Sequence, residues 1–220
     1  PIYIFQNEIL KSKPKLSKIQ ISRSLVIGSA FDDEWFNESL HKKEDNKIVF
    51  IGNLLRFGNS RNIEKIIKLF SKKKLMNLSL HIVGGPEESA MKLKKLVDEL
   101  NIENVYIHGP LQNIYAIKEM RNASIGLLMN SKDNNSIDES SPLKYYEYLA
   151  SELKVLASDI PSHKNLPLTK NITFFNEDDS EDFINKILKT RDKKFIEEDM
   201  TNYTYRYRVS SILEFAARLE

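Results

Sequence analysis

Two glutamates that flank a predicted helix start are the residues of this sequence best suited to chemistry. Glu139 and Glu147 are separated by seven residues, with Ser141, Pro142 and Lys144 between them. A carboxylate can accept two hydrogen bonds at once, so either glutamate could hold vicinal hydroxyl groups such as those of a ribose. A second carboxylate beside a sugar can accept hydroxyl hydrogens or stabilise developing positive charge. The spacing therefore indicates a site for a polyhydroxylated ligand.

The segment between the glutamates also has the features of an anion site. Ser140 and Ser141 are good N-cap residues and proline is favoured in the first helical turn, so we expect a helix to open at Pro142. Free N–H groups at a helix start bind anions. Lys144 adds a cation to that first turn, where it opposes the helix dipole unless an anion neutralises it. An ordinary surface lysine is the alternative interpretation of Lys144.

Alternating apolar patterns predict the elements that position this segment. From residue 47 onward, short β-rich apolar runs alternate with stretches whose apolar residues recur at helical spacing. This alternation predicts an α/β fold, a Rossmann-like doubly wound parallel sheet of about six strands with helices on both faces. The predicted strands are Lys47–Gly52, Leu78–Val83, Val105–His108, Ser124–Met129, Val155–Ser158 and Ile172–Phe175. The predicted helix faces are Ile63, Ile66, Ile67 and Phe70; Met91, Leu93, Leu96, Val97 and Leu100; and Ile114, Ile117 and Met120.

The two ends of the chain lack this alternation. Residues 1–46 are expected to form an interdomain linker with the remnant of an N-terminal domain, and Ser24–Phe36 is typical of a strand that leads into a turn. Residues 47–190 form the predicted Rossmann-like domain, and residues 191–220 a C-terminal helical extension. A final helix is predicted over Tyr203–Leu219. Its apolar face is predicted to consist of Val209, Ile212, Leu213 and Ala216.

Composition excludes several classes of protein. Lys plus Arg total 33 and Asp plus Glu total 31 among 220 residues, giving a net charge of +2, so nucleic acid is not expected as a partner. The lack of cysteine excludes disulfides and thiolate metal sites. No apolar run approaches the ~20 residues that span a bilayer, and the first residues lack the basic start of a secretory signal. A cytoplasmic location is therefore expected.

Ligands of an open parallel sheet bind at the carboxyl ends of its strands. The longest loop predicted at that edge is Asn130–Pro142, which contains Glu139 and leads into the helix that carries Glu147. Gly52 and Gly84 follow two other strands and would allow tight turns there. The other loops predicted at this edge are Gly52–Asn62, Gly84–Glu88, His108–Leu111 and Ser158–Asn165.

Several segments resemble one family of enzymes. The stretch from Glu139 to Ser151, followed by Val155–Pro161, resembles the C-terminal, nucleotide-sugar-binding domain of family 4 glycosyltransferases, which have the GT-B fold and carry two glutamates at this spacing. The resemblance implies that the sheet is one half of a GT-B fold. Further segments extend it, in order, over about residues 22–220: Leu25–Asp32, Ile48–Asn53, Leu80–Pro86, Val105–Pro110, Ala123–Met129 and Tyr203–Val209.

The resemblance implies transfer of a sugar from a nucleotide-diphosphate sugar with retention of configuration. Glu139 would contact the transferred sugar as the catalytic carboxylate, and Glu147 would bind the donor ribose. No obligatory metal and no other cofactor are implied, and the sequence agrees in having no Asp-x-Asp motif. The other implied donor contacts are Gly52, Asn53 and Arg61 after the first strand; Ser141, Leu143 and Lys144 at the diphosphate; and His108, Gly109 and Pro110 at the base.

Two features depart from the family pattern. Asn53 follows Gly52 where many members place an arginine, and Arg56 or Arg61 could supply that charge instead. Residues 1–46 are too short to form the N-terminal Rossmann domain that holds the acceptor and a catalytic histidine in the family. The chain is therefore expected to bind its donor but to transfer sugar poorly or not at all alone. Its expected partners are a nucleotide sugar and the missing acceptor-binding domain, with a polysaccharide or glycoconjugate as acceptor and peripheral membrane association of the full enzyme.

Other interpretations are compatible with the same residues. A degenerate, non-catalytic GT-B domain that acts as a partner or scaffold subunit is favoured by Asn53. A dinucleotide-binding Rossmann domain is disfavoured because no strand is followed by Gly-x-Gly-x-x-Gly. Glu147 could be a solvated helix residue, Glu139 a partner of the helix dipole, and His108 a strand end.

Aromatic and imidazole side chains have competing interpretations as well. Tyr145, Tyr146 and Tyr148 could form a platform for a sugar, although Tyr146 shares a helix face with Leu143 and Ala150, which is typical of core. His81 lies within a predicted strand and His163 after a predicted turn, and both are expected to be structural.

Overall fold

A parallel sheet of six strands forms the centre of the described part of the chain. The structure is a computed structural model, and it describes residues 2–6, 8–12, 21–35, 43–56, 58–130 and 142–219. In chain order the strands are β1 (Tyr3–Phe5), β2 (Ser24–Val26), β3 (Lys47–Ile51), β4 (Leu55–Arg56), β5 (Asn59–Ser60), β6 (Ser79–Val83), β7 (Val105–Gly109), β8 (Ile125–Leu128), β9 (Lys154–Ser158) and β10 (Ile172–Phe175). The central sheet has the order β10–β9–β8–β3–β6–β7. All six of its strands coincide with the predicted apolar runs.

Helices connect these strands and lie on both faces of the sheet, as the sequence predicts. In chain order they are α1 (Glu8–Lys11), α2 (Ile63–Leu69), α3 (Glu87–Glu99), α4 (Asn113–Asn122), α5 (Leu143–Ala150), α6 (Pro161–Lys164), α7 (Ser180–Asp192) and α8 (Tyr205–Ala217). Single 3₁₀ turns occur at Ile21–Arg23, Asp33–Trp35, Lys73–Leu75, Thr169–Asn171 and Thr201–Tyr203. None of these described helices combines the length and the apolar composition needed to cross a membrane.

Strand β3 shows why the apolar runs predict the sheet so well. It lies inside the sheet and is buried along its whole length, since helices cover both of its faces. Ile48 and Phe50 point into a core shared with α2, α3 and α7. Val49 and Ile51 point into a second core shared with α4 and α5. Alternate residues of one continuous apolar run thus supply two cores.

The predicted helix faces are correct in their centres and wrong at three positions, which are Met91 and Leu100 of the α3 pattern and Ile114 of α4, the last being 58% exposed. Ala90, Leu93 and Val97 are its buried residues. Met91 and Leu100, which the sequence pattern placed on the same face, are exposed. Met91 lies on α3 outside the stripe that Ala90, Leu93 and Val97 form at i, i+3 and i+7, so it turns toward water, whereas Leu100 is the C-cap and lies beyond the last helical residue.

The two chain ends are joined to each other. Strands β1 and β2 pair in parallel as a separate two-stranded sheet. Phe31 forms an isolated bridge with Thr204 just before α8, and the Arg208 guanidinium on α8 donates to the carbonyl oxygens of Ile27 and Gly28. Helix α8 confirms the predicted final helix, yet Val209 and Leu213 on its predicted apolar face are exposed. That face therefore lies outside both cores.

Candidate functional site

Glycines close the carboxyl ends of three neighbouring strands. The backbone N–H of Gly52 donates to the Val83 carbonyl at 3.0 Å, and the N–H of Gly84 donates to the Gly109 carbonyl at 2.9 Å, so the ladder continues past β3, β6 and β7. A β-carbon on Gly84 would overlap the carbonyl oxygen of Gly52. Glycine is thus required for these strand ends to approach each other. This edge is where the ligand of a doubly wound sheet is expected.

The predicted base-flanking residues lie at the end of β7 and separate into two groups. Gly109 has a φ of +70°, and a β-carbon there would lie 3.3 Å from a carboxylate oxygen of Glu87 at the start of α3. Pro110 follows at the exposed edge beside Gly85. The imidazole of His108 instead contacts His81 on the sheet face, with 3.0 Å between His108 Nε2 and His81 Nδ1. The backbone of Gly109 and Pro110 therefore lies at the site edge, while the His108 ring is directed to another part of the molecule.

Helix α5 starts at this same edge. Its first helical residue is Leu143, so Pro142 precedes the helix as the N-cap and the expectation of proline in the first turn is wrong by one position. Pro142 adopts an extended conformation with no side-chain cap, since the proline ring has no hydrogen-bond acceptor for the free N–H groups of the helix. Ser141, the predicted catalytic Glu139 and Ser140 lie outside the described residues.

Lys144 and Glu147 form an ion pair on one face of α5. The Lys144 ammonium donates to Glu147 Oε2, at the i, i+3 spacing that places two side chains on the same helix face. The Glu147 side chain is only 15% exposed, so it is not the solvated helix residue of the alternative interpretation. The predicted unfavourable cation in the first turn is thus balanced by Glu147, and an anion at the helix start would compete for the same ammonium.

Two neighbouring cavities at the start of α5 are lined by several of the predicted donor residues. One, of about 280 Å³, is lined by Lys144 and Glu147 of α5, Asn113 of α4 and Asp32, among others. The other, of about 260 Å³, lies between the ends of β3 and β8. It is lined by Gly52, Asn53, Arg61, Met129, Leu143 and Lys144, among others. Leu143 and Lys144 line both cavities, so the helix start forms the wall between them.

Two side chains that line the same cavity as Gly52 are the guanidinium of Arg61 and the amide of Asn53. The Arg61 guanidinium donates from Nη1 to the Met129 carbonyl at 2.9 Å and is thereby directed across the end of β8. The Asn53 side chain is used locally, because its Oδ1 accepts from the Leu55 N–H at 3.0 Å. Of the two arginines considered for the diphosphate, the structure places Arg61 at the cavity, while the Arg56 side chain lies outside the described atoms.

Tyr148, the residue after Glu147 on α5, holds this helix against the sheet. Its ring lies on Gly126 of β8, where a β-carbon would meet ring carbons at 2.5 Å. Its hydroxyl accepts from the Ile51 N–H at 3.0 Å and donates to the Leu127 carbonyl at 3.3 Å. Full burial raises the pKa of this phenol, so it stays neutral and able to donate. Sequence reasoning missed this positioning role, for which a glycine inside an apolar strand was the available signal.

The alternative of a tyrosine platform for a sugar is wrong. Tyr145, Tyr146 and Tyr148 are all buried. The Tyr145 hydroxyl donates to the Pro167 carbonyl at 2.7 Å, and Tyr146 stacks on Tyr203 with 5.2 Å between ring centroids. All three side chains belong to the core that α5 forms with the sheet.

A cavity of about 970 Å³ lies away from this edge, between the end of α5 and the chain before α8. Phe31, Leu149, Glu152 and Met200 are among its lining residues. None of the predicted site residues within the described ranges lines it. Size alone therefore does not identify the site here, since the smaller cavities hold the helix start and the charged groups.

The other histidines considered differ in environment. His163 is buried in α6, with 2.9 Å between its Nδ1 and the Ser158 carbonyl, which agrees with a structural role. His81 lies 3.6 Å from Glu119 Oε2 of α4, measured from its Nδ1. Burial, and next the Lys47 ammonium, lower the pKa of His81 to about 4. The His81 ring is therefore neutral near pH 7.

Comparison with known proteins gives a family and a fold. Residues 31–207 match the family described as glycosyl transferases group 1. No match was found among curated proteins. The fold resembles that of the lipopolysaccharide outer core galactosyltransferase WaaB in its apo form, with a TM-score of 0.71 and 12% identity over 100% of this chain and 62% of that one.

Two solved complexes are similar in the same way. One is TarM of S. aureus with fondaparinux, alpha-GlcNAc-glycerol and UDP, at a TM-score of 0.69 and 20% identity over 98% of this chain and 43% of that one. The other is the pneumococcal O-GlcNAc transferase GtfA with UDP and GlcNAc, at a TM-score of 0.61 and 14% identity over 99% of this chain and 44% of that one. The chain thus spans less than two thirds of the length of each of these three proteins.

Proposed function

Since the chain belongs to the glycosyl transferases group 1 family, we propose that it binds the nucleotide-diphosphate sugar donor of a retaining glycosyltransferase around the start of α5. The observation that carries this proposal is the Lys144–Glu147 pair, which lines a cavity of about 280 Å³ at the carboxyl edge of the sheet. A carboxylate for ribose hydroxyls and a cation for the diphosphate thus lie side by side.

Every predicted site residue except His108 has a role in this proposal. Glu147 accepts hydrogen bonds from the donor ribose, and the first N–H groups of α5, at Leu143 and Lys144, bind the diphosphate. The role of Ser141 at the diphosphate rests on the family resemblance. Arg61 supplies the second cation from the neighbouring cavity, beside Gly52 and Asn53. The backbone of Gly109 and Pro110 flanks the base. The role of Glu139 at the transferred sugar rests on the family resemblance.

The proposed transfer needs no obligatory metal. The bond between the sugar C1 and the diphosphate oxygen breaks, the acceptor hydroxyl oxygen bonds to C1 on the same face of the sugar, and the hydroxyl proton passes to an oxygen of the departing diphosphate. Negative charge then grows on the departing diphosphate. Lys144 and Arg61 are cations on the cavity walls and would stabilise this charge, which is the role that a metal fills in other transferases.

In this proposal the chain is one part of a larger enzyme, and another domain of that enzyme binds the acceptor. The chain spans 62% of WaaB and 43% of TarM, and WaaB is described as a galactosyltransferase of the lipopolysaccharide outer core. We therefore propose residues 1–46 as the linker from an N-terminal acceptor domain and residues 191–220 as a helical extension that returns to it. The acceptor is a polysaccharide or glycoconjugate, reached at the cytoplasmic face of the membrane.

Calorimetry with nucleotides tests the donor site. We expect UDP, GDP or ADP to bind the chain at millimolar concentration or below, and Glu147→Ala to weaken that binding at least tenfold, since about 1.5–3 kcal/mol is typical of hydrogen bonds to a charged group. Glu99→Ala, an exposed glutamate of α3, is the matched control and should bind as the wild type does. Lack of heat with all three nucleotides would refute donor binding, and unchanged affinity in Glu147→Ala would refute the ribose role alone.

A non-catalytic partner subunit is the second candidate. Asn53 favours it, because its side chain holds the turn after β3 through Leu55 and brings no charge to the diphosphate. Under this alternative the chain would co-purify with a complete transferase and bind none of the three nucleotides. Nucleotide binding that depends on Glu147 would exclude it.

A further inference from the structure

A second group of ligating side chains lies on the sheet face, apart from the donor site. His81 of β6, His108 of β7 and Glu119 of α4 each direct one ligand atom to a common point, and these atoms all lie within 4.8 Å of one another. None of the three residues lines either cavity at the start of α5. The cluster is therefore free to serve a ligand of its own.

Two distances in the cluster lie close to the edge length of a metal-ligand tetrahedron. His81 Nδ1 lies 3.0 Å from His108 Nε2 and 3.6 Å from Glu119 Oε2. Ligand atoms bound to one tetrahedral Zn²⁺ at 2.0–2.1 Å lie about 3.3–3.4 Å from one another. The two distances from His81 bracket that value, and the ligand atoms of His108 and Glu119 lie within 4.8 Å of each other. A side-chain adjustment of up to about 1.5 Å would therefore let all three atoms bind one ion.

The backbone already holds two of these residues in register. His81 pairs with Tyr106 across the β6–β7 ladder, so His108 lies two positions further along the same face of β7. The Tyr106 ring stacks on His81 at a centroid distance of 4.7 Å. The sheet therefore fixes the imidazoles before any ion binds, while the exposure of His108 leaves room for water as a further ligand.

We propose that His81, His108 and Glu119 form a binding site for a divalent transition-metal ion, with Zn²⁺ as the best-matching ion. Two imidazoles and one carboxylate are typical zinc ligands, and a site with three protein ligands keeps an open position for water. The bound ion joins α4 to the outer strands of the sheet. This proposal does not depend on the donor site.

Lys47 competes with the ion for the carboxylate of Glu119. Its ammonium lies 3.0 Å from Glu119 Oε2 and 3.1 Å from Glu44 Oε1. An ion on Glu119 displaces Lys47 from one carboxylate and leaves it paired with the other. Zinc affinity is therefore lower than the three ligands alone would give, and removal of the ammonium raises it.

Zinc titration of the tag-free, chelator-treated chain tests the site. We expect one Zn²⁺ per chain by calorimetry, a higher Tm with zinc, and a cobalt complex with visible absorption bands. His108→Ala, which changes an exposed side chain and should leave the fold intact, is expected to weaken zinc binding at least tenfold. Glu88→Gln, an exposed carboxylate of α3, is the matched control and should bind zinc as the wild type does.

Three further variants test whether zinc binds at this cluster. Lys47→Met should tighten zinc binding, and Glu119→Gln should weaken it while circular dichroism confirms the fold. His41, outside the described residues, supplies the competing assignment. Loss of binding in His41→Ala but not in His108→Ala would overturn the proposed site. Lack of stoichiometric binding in the wild type would overturn it as well and identify the cluster as a hydrogen-bonded histidine pair.

Discussion

One face of the central sheet is covered over some strands and open over others. Over β8 and β9, helix α5 packs so closely that Tyr148 is fully buried on Gly126. Over β7, at the other end of the same face, Tyr106 is 47% exposed and His108 is exposed too. We call the part of this face over β8 and β9 the covered half and the part over β7 the open half. The two halves belong to one sheet, and they differ in whether a helix packs on them.

The covered half fixes side chains in position, whereas the open half leaves side chains accessible to solvent. In the covered half, a buried ring and two backbone hydrogen bonds fix α5, so that the neighbouring Glu147 reaches the edge cavity at a defined place. In the open half, the sheet fixes His81 and His108 while solvent keeps one side of the pair accessible. The first arrangement suits a ligand held at the sheet edge, and the second suits a small ion that needs a water ligand.

Filling the space between sheet and helix in the covered half is expected to have the largest effect. In Gly126→Ala the new β-carbon would lie 2.5 Å from the Tyr148 ring, so α5 must shift, at a cost of about 3 kcal/mol of unfolding free energy. Urea denaturation measures the loss. Gly85→Ala is the control, since its nearest new contact is 3.6 Å and about 1 kcal/mol or less is expected there. Equal losses in both variants would mean that the helix is not held tightly on the sheet.

Removal of one hydroxyl from the covered half comes next. Tyr148→Phe leaves the buried Ile51 N–H without its acceptor, and an unsatisfied buried donor costs about 2 kcal/mol. Urea denaturation at pH 7 again gives the measurement, and Tyr106→Phe in the open half should change the unfolding free energy by less than about 0.5 kcal/mol. A Tyr148→Phe variant as stable as the wild type would show that water replaces the hydroxyl, which contradicts a closed core.

The contrast between the halves was only partly predictable from the sequence. Apolar runs such as Ile48–Ile51 predict the strands because burial on both faces leaves little room for polar residues. The pairing of Gly126 with Tyr148 was not predictable, because it depends on how α5 lies across β8. The same holds for Met91, whose exposure is decided by the rotation of α3 about its axis, and for Leu100, which lies just beyond the end of that helix.

The candidate site was predictable to a similar extent. Glu147 and Lys144 were expected near one another and near Gly52, because all follow strand ends of a parallel sheet. Their ion pair depends on side-chain rotamers that the spacing permits without requiring. His108 was assigned to the base end of β7 from its position in the chain, whereas strand register decides which face its ring occupies.

A smaller effect on the unfolding free energy is expected when the pH is raised, and it too depends on the burial of Tyr148 in the covered half. Burial raises the pKa of Tyr148 above its ordinary value of 10.0, so above about pH 10 the unfolded chain loses this proton while the folded chain keeps it. The folded state then binds more protons, and its stability falls as pH rises, by up to about 1.4 kcal/mol per pH unit for one phenol. The stability advantage of wild type over Tyr148→Phe should therefore shrink between pH 9 and 11. A constant difference would indicate that solvent reaches the phenol.

The smallest effect is expected from an aromatic ring of the open half. Tyr106→Ser removes a ring that stacks on His81 at 4.7 Å but is 47% exposed, so the loss of unfolding free energy should stay near or below about 1 kcal/mol. Tyr115→Ser on α4, where the ring is 57% exposed, is the matched control, and the difference between the two variants isolates the stacking on His81. Urea midpoints with a chelator present give both values. A loss above about 2 kcal/mol in Tyr106→Ser alone would mean that the core continues to the edge of β7, and the division of this face into covered and open halves would then fail.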